Sequence, residues 1–472
     1  MLILSSTTDA LQVITAASGT INVHCSWMDN TSGTVTPGRT NTAISTAATT
    51  SIVAPPAAAT QRNIKTIHIA NAGSSAVDIT VQHTDGTIVS QLHKVTLAGG
   101  TTLQYIDEVG FTTASGGIST SFSPATNLII NSGMEVSQES IANAINSISN
   151  LNRYTIDMFG VHVLGSVVIT AQQIIDAPAG YKNSLKVSVT TADTSIAAGD
   201  KALIYAVVEG YRCARLGFGA AGAQNIALGF WVKANRTGTY SASIENFNVN
   251  RCYPFNFSVN SSATWEYKTA TIPGDVTGTW RIDNAAGLYI NWVMMAGTTF
   301  TGSANSWNPA RTEAVTGTLN GVAATTDYMQ ICGVSLIPGT NPVAQGTIVT
   351  RNFDEELVLC RRYYEKSYNY LVAPQALSTP GELEWGLSLN SGTNAEMTAP
   401  ARFSVHKRAA PAFSVYSPNT GAASKVWESL SNTDVPMSVG NLGESGSEIQ
   451  AAIGGSPASV YFNAHWVADA RL

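Results

Sequence analysis

The chain has 472 residues, enough for about three domains of ordinary size. Charged residues make up 12% of it, about half the usual quarter, and 25 basic against 31 acidic side chains leave a net charge of −6. No basic patch advertises a nucleic-acid partner, no run of 18 apolar residues predicts a membrane-spanning helix, and the 9 Trp, 16 Tyr and 13 Phe argue against disorder.

The opening MLILSSTTDALQV has no basic segment and no cleavage-site pattern, so no signal peptide is expected. Short alternating runs come next. Ile64–Ile69 puts Ile67 and Ile69 on one face, and Val77–Val81 alternates in the same way. Asp85-Gly86 then predicts a hairpin, because both residues tolerate positive φ. The Thr/Ala/Ser/Pro stretch from Thr34 to Thr60 reads as a long loop or as an extended strand wrapping a neighbour, and Ala114–Ile118 as a flexible boundary. The first domain is therefore placed at 1–117.

A second domain is placed at 125–340. Strand-like runs recur at Ser184–Val189, Ile226–Val232, Tyr240–Ile244, Trp265–Ile272 and Leu288–Val293, separated by Gly and Asn turns, as in a β-sandwich or jelly roll. A short helix near Ala142–Asn152 is the one exception that the pattern allows. A third domain is placed at 347–472. It opens on an amphipathic helix over 352–366, where Phe353, Leu357, Cys360 and Tyr364 recur on one face, Asn352 caps, acids fill the first turn and Arg361 and Arg362 the last. The resulting fold class is all-β: three sandwich or jelly-roll domains in series, with one short helix.

Chemistry-bearing motifs are few. The five cysteines are widely spaced and read as free, buried thiols. The seven histidines are scattered, and neither a phosphate loop, a nucleophile elbow nor metal-ligand spacing occurs. No cofactor, metal or catalytic residue is assigned, and the chain is read as no enzyme. Carboxylates such as Glu245, Glu266, Asp275 and Asp283 leave a hydrolytic pair open as an alternative.

The aromatics concentrate in the middle domain. A sugar ring stacks its C–H face on an aromatic ring while Asn, Asp and Arg satisfy its hydroxyls. Trp265 and Trp292 lie in apolar strands and are assigned to the core. Trp280 follows a Gly-Thr turn and Trp307 sits in an Asn/Ser loop, so they are the candidate platforms, with Tyr253 and Arg251 as further candidates beside Asn248 and Asn250.

Several long motifs carry a resemblance. NLIINSGMEVSQ at 127–138, followed by RYTIDMF at 153–159, resembles the opening of a domain common in bacteriophage and prophage tail fibre proteins, whose usual form is NLLxNGgFdvWQRG…YtaDRW. EGYRCARLGFG, LGFWVKANRTGTYSASI, ATWEYKTATIPGDVTGTW and ICGVSLIPG are similar to that domain's later strands. EELVLCRRYYEKSY resembles the segment C-terminal to that domain in many phage structural proteins, and SVHKRAAPAFSVYSPNTG and AHWVADARL resemble their C-terminal domain. Residues 1 to about 112 resemble an N-terminal module of such proteins. Here Ser137–Ser140 and Ile156–Phe159 lack the family's Trp, Arg and Gly residues. The resemblance implies a virion structural protein, a tail fibre or appendage assembled in the host cytoplasm. It also implies a carbohydrate-binding-like jelly roll, attachment to other virion proteins through 1–117, a homotrimer, and contact with host-surface polysaccharide. The alternatives are a glycan depolymerase of tailspike type, and a head or tail decoration protein without ligand.

Overall fold

Strands carry nearly all of the regular structure, and the fold is all-β. The computed structural model describes residues 2–107, 110–115, 127–388, 396–452 and 459–472, so the expected boundary at Ala114–Ile118 lies largely outside the described residues. The chain divides into two compact units, Met1–Ser121 and Phe122–Leu472.

The first unit has two antiparallel sheets. In the six-stranded one, Ile21–Thr31 pairs with Thr34–Ile44 and Thr60–Asn71, and the latter also with Thr101–Ile106 and Leu2–Leu4. The four-stranded one runs Ala48–Val53, Ala10–Thr15, Val77–Thr84, Val89–Leu97. Ile67, Ile69, Ile79 and Val81 alternate into a shared core, as the period-two pattern predicts. At the predicted hairpin, the Asp85 carboxylate accepts the N–H groups of Thr87 and Ile88 at 2.8 and 2.6 Å, while Gly86 takes φ +92°. The Thr34–Thr60 stretch holds two ladder strands, Thr34–Ile44 and Ala48–Val53, rather than a loop.

The second unit contains a sandwich of two six-stranded antiparallel sheets. The first runs Ile145–Ile148, Val168–Ile174, Ser184–Thr191, Tyr328–Pro338, Ile226–Ala234, Glu266–Ile272; the second runs Leu151–Ile156, Phe159–Leu164, Lys201–Glu209, Ala286–Ala296, Gly238–Asn246, Cys252–Val259. Between them Trp292, fully buried, lies 6.2 Å from Phe159 and 5.7 Å from Phe230, ring to ring. Trp265 is not core: it is half-buried, and its indole N–H donates to Asp176 at 3.2 Å. The short helix allowed near Ala142–Asn152 is replaced by strands, because positive φ at Ile141, Ala142, Ser147 and Asn150 is incompatible with a helix.

Residues 347–472 form an eight-stranded sheet around Ser459–Asp469, with its own core of Val426, Phe462, Ala464 and Trp466. They nevertheless belong to the same compact unit as the sandwich, so the three bodies expected in series are two units. Polar bonds made across the expected boundary explain this. The Glu209 carboxylate accepts from Arg362 at 2.6 and 2.9 Å and from the Tyr363 hydroxyl at 2.5 Å, and buried Glu356 accepts the Asn131 N–H at 2.8 Å. The helix spans Phe353–Arg361, shorter than the expected 352–366, because Tyr364–Lys366 pairs instead with Val467–Asp469. Its Leu357 and Cys360 pack on the sandwich core. All five cysteines are buried and unpaired, as expected.

Candidate functional site

The four candidate residues of the middle domain come together. Trp280 and Trp307 meet edge to face at 5.5 Å, Phe218 stands edge-on to both at 4.8 and 5.9 Å, and Tyr253 lies 5.3 Å from Trp307. The Arg251 guanidinium sits 6.0 Å above Trp307 and is gripped by Asp275 through two bonds of 2.6 and 2.7 Å. Burial alone would raise the Asp275 carboxyl, but the Arg251 bonds more than offset it and hold it below the usual range. The indole N–H of Trp280 reaches Asp275 at 3.3 Å, and that of Trp307 the Pro273 carbonyl at 2.9 Å. Both tryptophans are half-buried, whereas Tyr253 is 5% exposed. Phe218, the cluster's hub, carries no sequence signal of its own; it sits in a Gly-rich turn far from the other rings in the chain.

A second feature lies on the sandwich's outer face, and sequence reasoning missed it. Along Lys201–Glu209, Leu203, Tyr205 and Val207 point away from the core that takes Ala202, Ile204, Ala206 and Val208. The ladder aligns His162 with Leu203, Tyr205 with Asn291, and Tyr289 with Glu245. These residues, with Asn152, Phe247, Val249, Arg311 and Glu313, line a cleft of about 300 Å³. The phenol end of Tyr205 rests on Gly160, where a Cβ would come within 2.4 Å of it and 2.7 Å of the Arg153 carbonyl, so this position requires glycine. Ala314 and Leu472 pack on the same face.

The cleft and the aromatic cluster share one loop. Fully buried Asn246 accepts the N–H groups of Asn250 and Arg251 at 3.1 Å each and donates to the Thr279 carbonyl at 3.0 Å. That knot fixes Phe247 and Val249 at the cleft, and Arg251 and Trp280 in the cluster.

The floor of the cleft carries paired charges. Lys201, 0% exposed, donates to both Glu313 oxygens at 2.7 and 3.0 Å, and Arg311 Nε reaches the same carboxylate at 2.8 Å. Burial pulls the Lys201 ammonium below the usual lysine range, opposed by Glu313. Glu245, 2% exposed, is pushed up to about 7, first by burial and then by the charge of Glu313. His162 is pushed down to about 4 by burial and by Lys201 and Arg311. Two neighbouring carboxyls thus face different environments, one bonded to two cations and one pushed toward neutral pH by burial and by its neighbour's charge. Among the described residues, no group of three or more His, Cys, Asp or Glu side chains could hold a metal ion.

No protein-family model matches the sequence, and no curated protein matches it. Solved structures with some likeness include the enzymatically active domain of tailspike protein 4 of bacteriophage CBA120, with 14% identity over 46% of this chain and 22% of that one, at a TM-score of 0.24. The tandem CBM22 domain of Paenibacillus barcinonensis Xyn10C matches at 10% identity over 72% of this chain and 81% of that one, at 0.24. The family 11 carbohydrate-binding module of Clostridium thermocellum, in complex with a mixed-linked tetrasaccharide, matches at 10% identity over 42% and 97%, at 0.22. The chain spans less than a quarter of the tailspike domain. At such scores the likeness adds nothing to the reading of the site.

Proposed function

We propose that this chain is a bacteriophage virion structural protein, a tail fibre or appendage, that contacts host-surface glycan without cleaving it. The observation that supports glycan contact is the outer-face cleft. There tyrosine rings, the Asn152 and Asn291 amides, the Arg311 guanidinium and two carboxyls converge on a space the size of one or two sugar rings. The Trp280/Trp307 cluster, tied to the cleft by loop 247–251, offers further ring surface beside it. The motif resemblance supports the virion role, attachment through residues 1–117 and trimeric assembly, and it carries the expectation of assembly in the host cytoplasm.

The test is a host-polysaccharide binding assay with the wild type, Tyr289→Ala, Trp280→Ala and Trp307→Ala. Loss of one stacked ring costs about 1–2 kcal/mol, roughly tenfold in affinity at a single site. Wild-type binding with a tenfold loss in Tyr289→Ala supports the cleft, and an added loss in either tryptophan variant extends the site to the cluster. A wild type that binds no host glycan overturns the reading.

One specific observation favours a second reading, a depolymerase: Glu245 is pushed up to about 7 beside Glu313, whose carboxylate is bonded to Lys201 and Arg311. New reducing ends released from host polysaccharide, and abolished in Glu313→Gln, would favour it.

A further inference from the structure

The cleft's charges, counted group by group, discriminate among glycans, and this inference rests on the glycan-binding reading above. Glu313 is matched by two cations, Lys201 and Arg311, which leaves one positive charge in excess before Glu245 is considered. Glu245 faces that set from Gly238–Asn246, which Ala286–Ala296 separates from the strand of Lys201. Around it stand the Asn291 amide, the Tyr289 ring, His162 further along the face, and the Cys252 thiol 3.9 Å from its Oε2. Ionising Glu245 would balance the excess, but it would place a second buried negative charge beside Glu313 with almost no water to solvate it. Arg311 differs from the other charged groups in its access to solvent: its side chain is 38% exposed, whereas Lys201 and Glu313 are at most 1% exposed.

We propose that the cleft selects a glycan residue bearing a carboxylate, which pairs with Arg311 at the rim and accepts a hydrogen bond from the Glu245 carboxyl at the floor. A sugar carboxylate supplies the missing negative charge where the site is open, and Glu245 keeps its proton as donor. An ammonium sugar would instead add a third cation and force Glu245 to ionise. A neutral sugar leaves the excess charge unmatched. Bidentate geometry between guanidinium and carboxylate adds orientation to the pairing.

Binding is therefore linked to one proton. Glu245 titrates near 7, so carboxylate binding is full below that pH and is lost above it. His162 titrates near 4 and stays neutral throughout the tested range. The experiment is calorimetric or NMR titration of the full chain with a methyl uronoside, its neutral parent glycoside and the corresponding 6-phosphate, at pH 5.5, 7 and 8.5. The uronoside is expected to bind at least tenfold more tightly than the neutral glycoside at pH 5.5, and to lose about thirtyfold by pH 8.5, as one-proton linkage with a midpoint near 7 requires. Glu245→Gln should keep the preference and lose its pH dependence, because an amide donates without titrating. Arg311→Gln, at the half-exposed rim, should abolish the preference at every pH and leave the fold intact. A uronoside preference independent of pH in the wild type, a preference retained in Arg311→Gln, or binding confined to the 6-phosphate would overturn the proposal. Equal binding of uronoside and neutral glycoside would overturn it while leaving glycan binding standing. Binding of none of the three, together with no binding of host polysaccharide, would remove both readings.

Discussion

Replacing Lys201 by methionine tests the charge arrangement beneath the cleft most severely. The ammonium is 0% exposed, makes two bonds to Glu313 and sits 4.7 Å over the Phe300 ring. Methionine fits the volume but leaves the Glu313 carboxylate, 1% exposed, with Arg311 as its remaining cation. Removing one partner of a buried pair costs about 3–5 kcal/mol, and the retained Arg311 bond argues for the lower end, about 3 kcal/mol. A unit of about 350 residues unfolds with an entropy near 0.7 kcal/mol/K at about 2.1 cal/mol/K per residue, so Tm should fall by about 4 °C. Differential scanning calorimetry reads this directly. The double variant Lys201→Met/Glu313→Gln should recover most of the loss, because the stranded charge is gone. A single variant that loses under about 1 kcal/mol, or a double variant no better than the single, would show that the pair is not the desolvated contact described here.

The same face yields three further expected outcomes. Gly160→Ala should cost about 1–3 kcal/mol and weaken glycan binding, because the added methyl meets the Tyr205 ring at 2.4 Å; thermal melts and binding curves together check it. His162 has a folded pKa below its unfolded value, so the unfolded chain binds more protons between about 6.5 and 4, and stability falls as pH drops through that window. His162→Gln should flatten this acid branch in urea titrations. Glu245 has the opposite sign: its folded pKa is raised, so stability declines as pH rises from about 4.5 to about 7, and Glu245→Gln should gain stability at pH 8 and none at pH 4.

Local signals are legible in the sequence where one principle governs them. The Asp85-Gly86 hairpin, the alternation of Ile67 and Ile69, and the five buried thiols need no tertiary information. Turn context singles out Trp280 and Trp307, and the structure joins them with Tyr253 and Arg251 around Asp275. The cleft is not legible, for a physical reason. All nine residues of Lys201–Glu209 are buried, since the outer face is covered in part by Ala314 and Leu472, and a strand buried on both faces shows no alternation to say which side faces what. Its lining also comes from residues 152 to 313, whose proximity is fixed by ladder register alone. The merging of residues 347–472 with the sandwich is hidden for a related reason. It depends on single long-range bonds, such as Arg362 and Tyr363 to Glu209, which leave no periodic trace in a chain.

On the proposed function, a glycan occupies the outer face of the sandwich. A crystal structure of the protein with a fragment of host-surface polysaccharide tests it most directly. A sugar ring is expected against Tyr205 and Tyr289, with its polar groups on Asn291, Arg311 and Glu245. A fragment bound elsewhere on the chain, with this cleft left open, would contradict it.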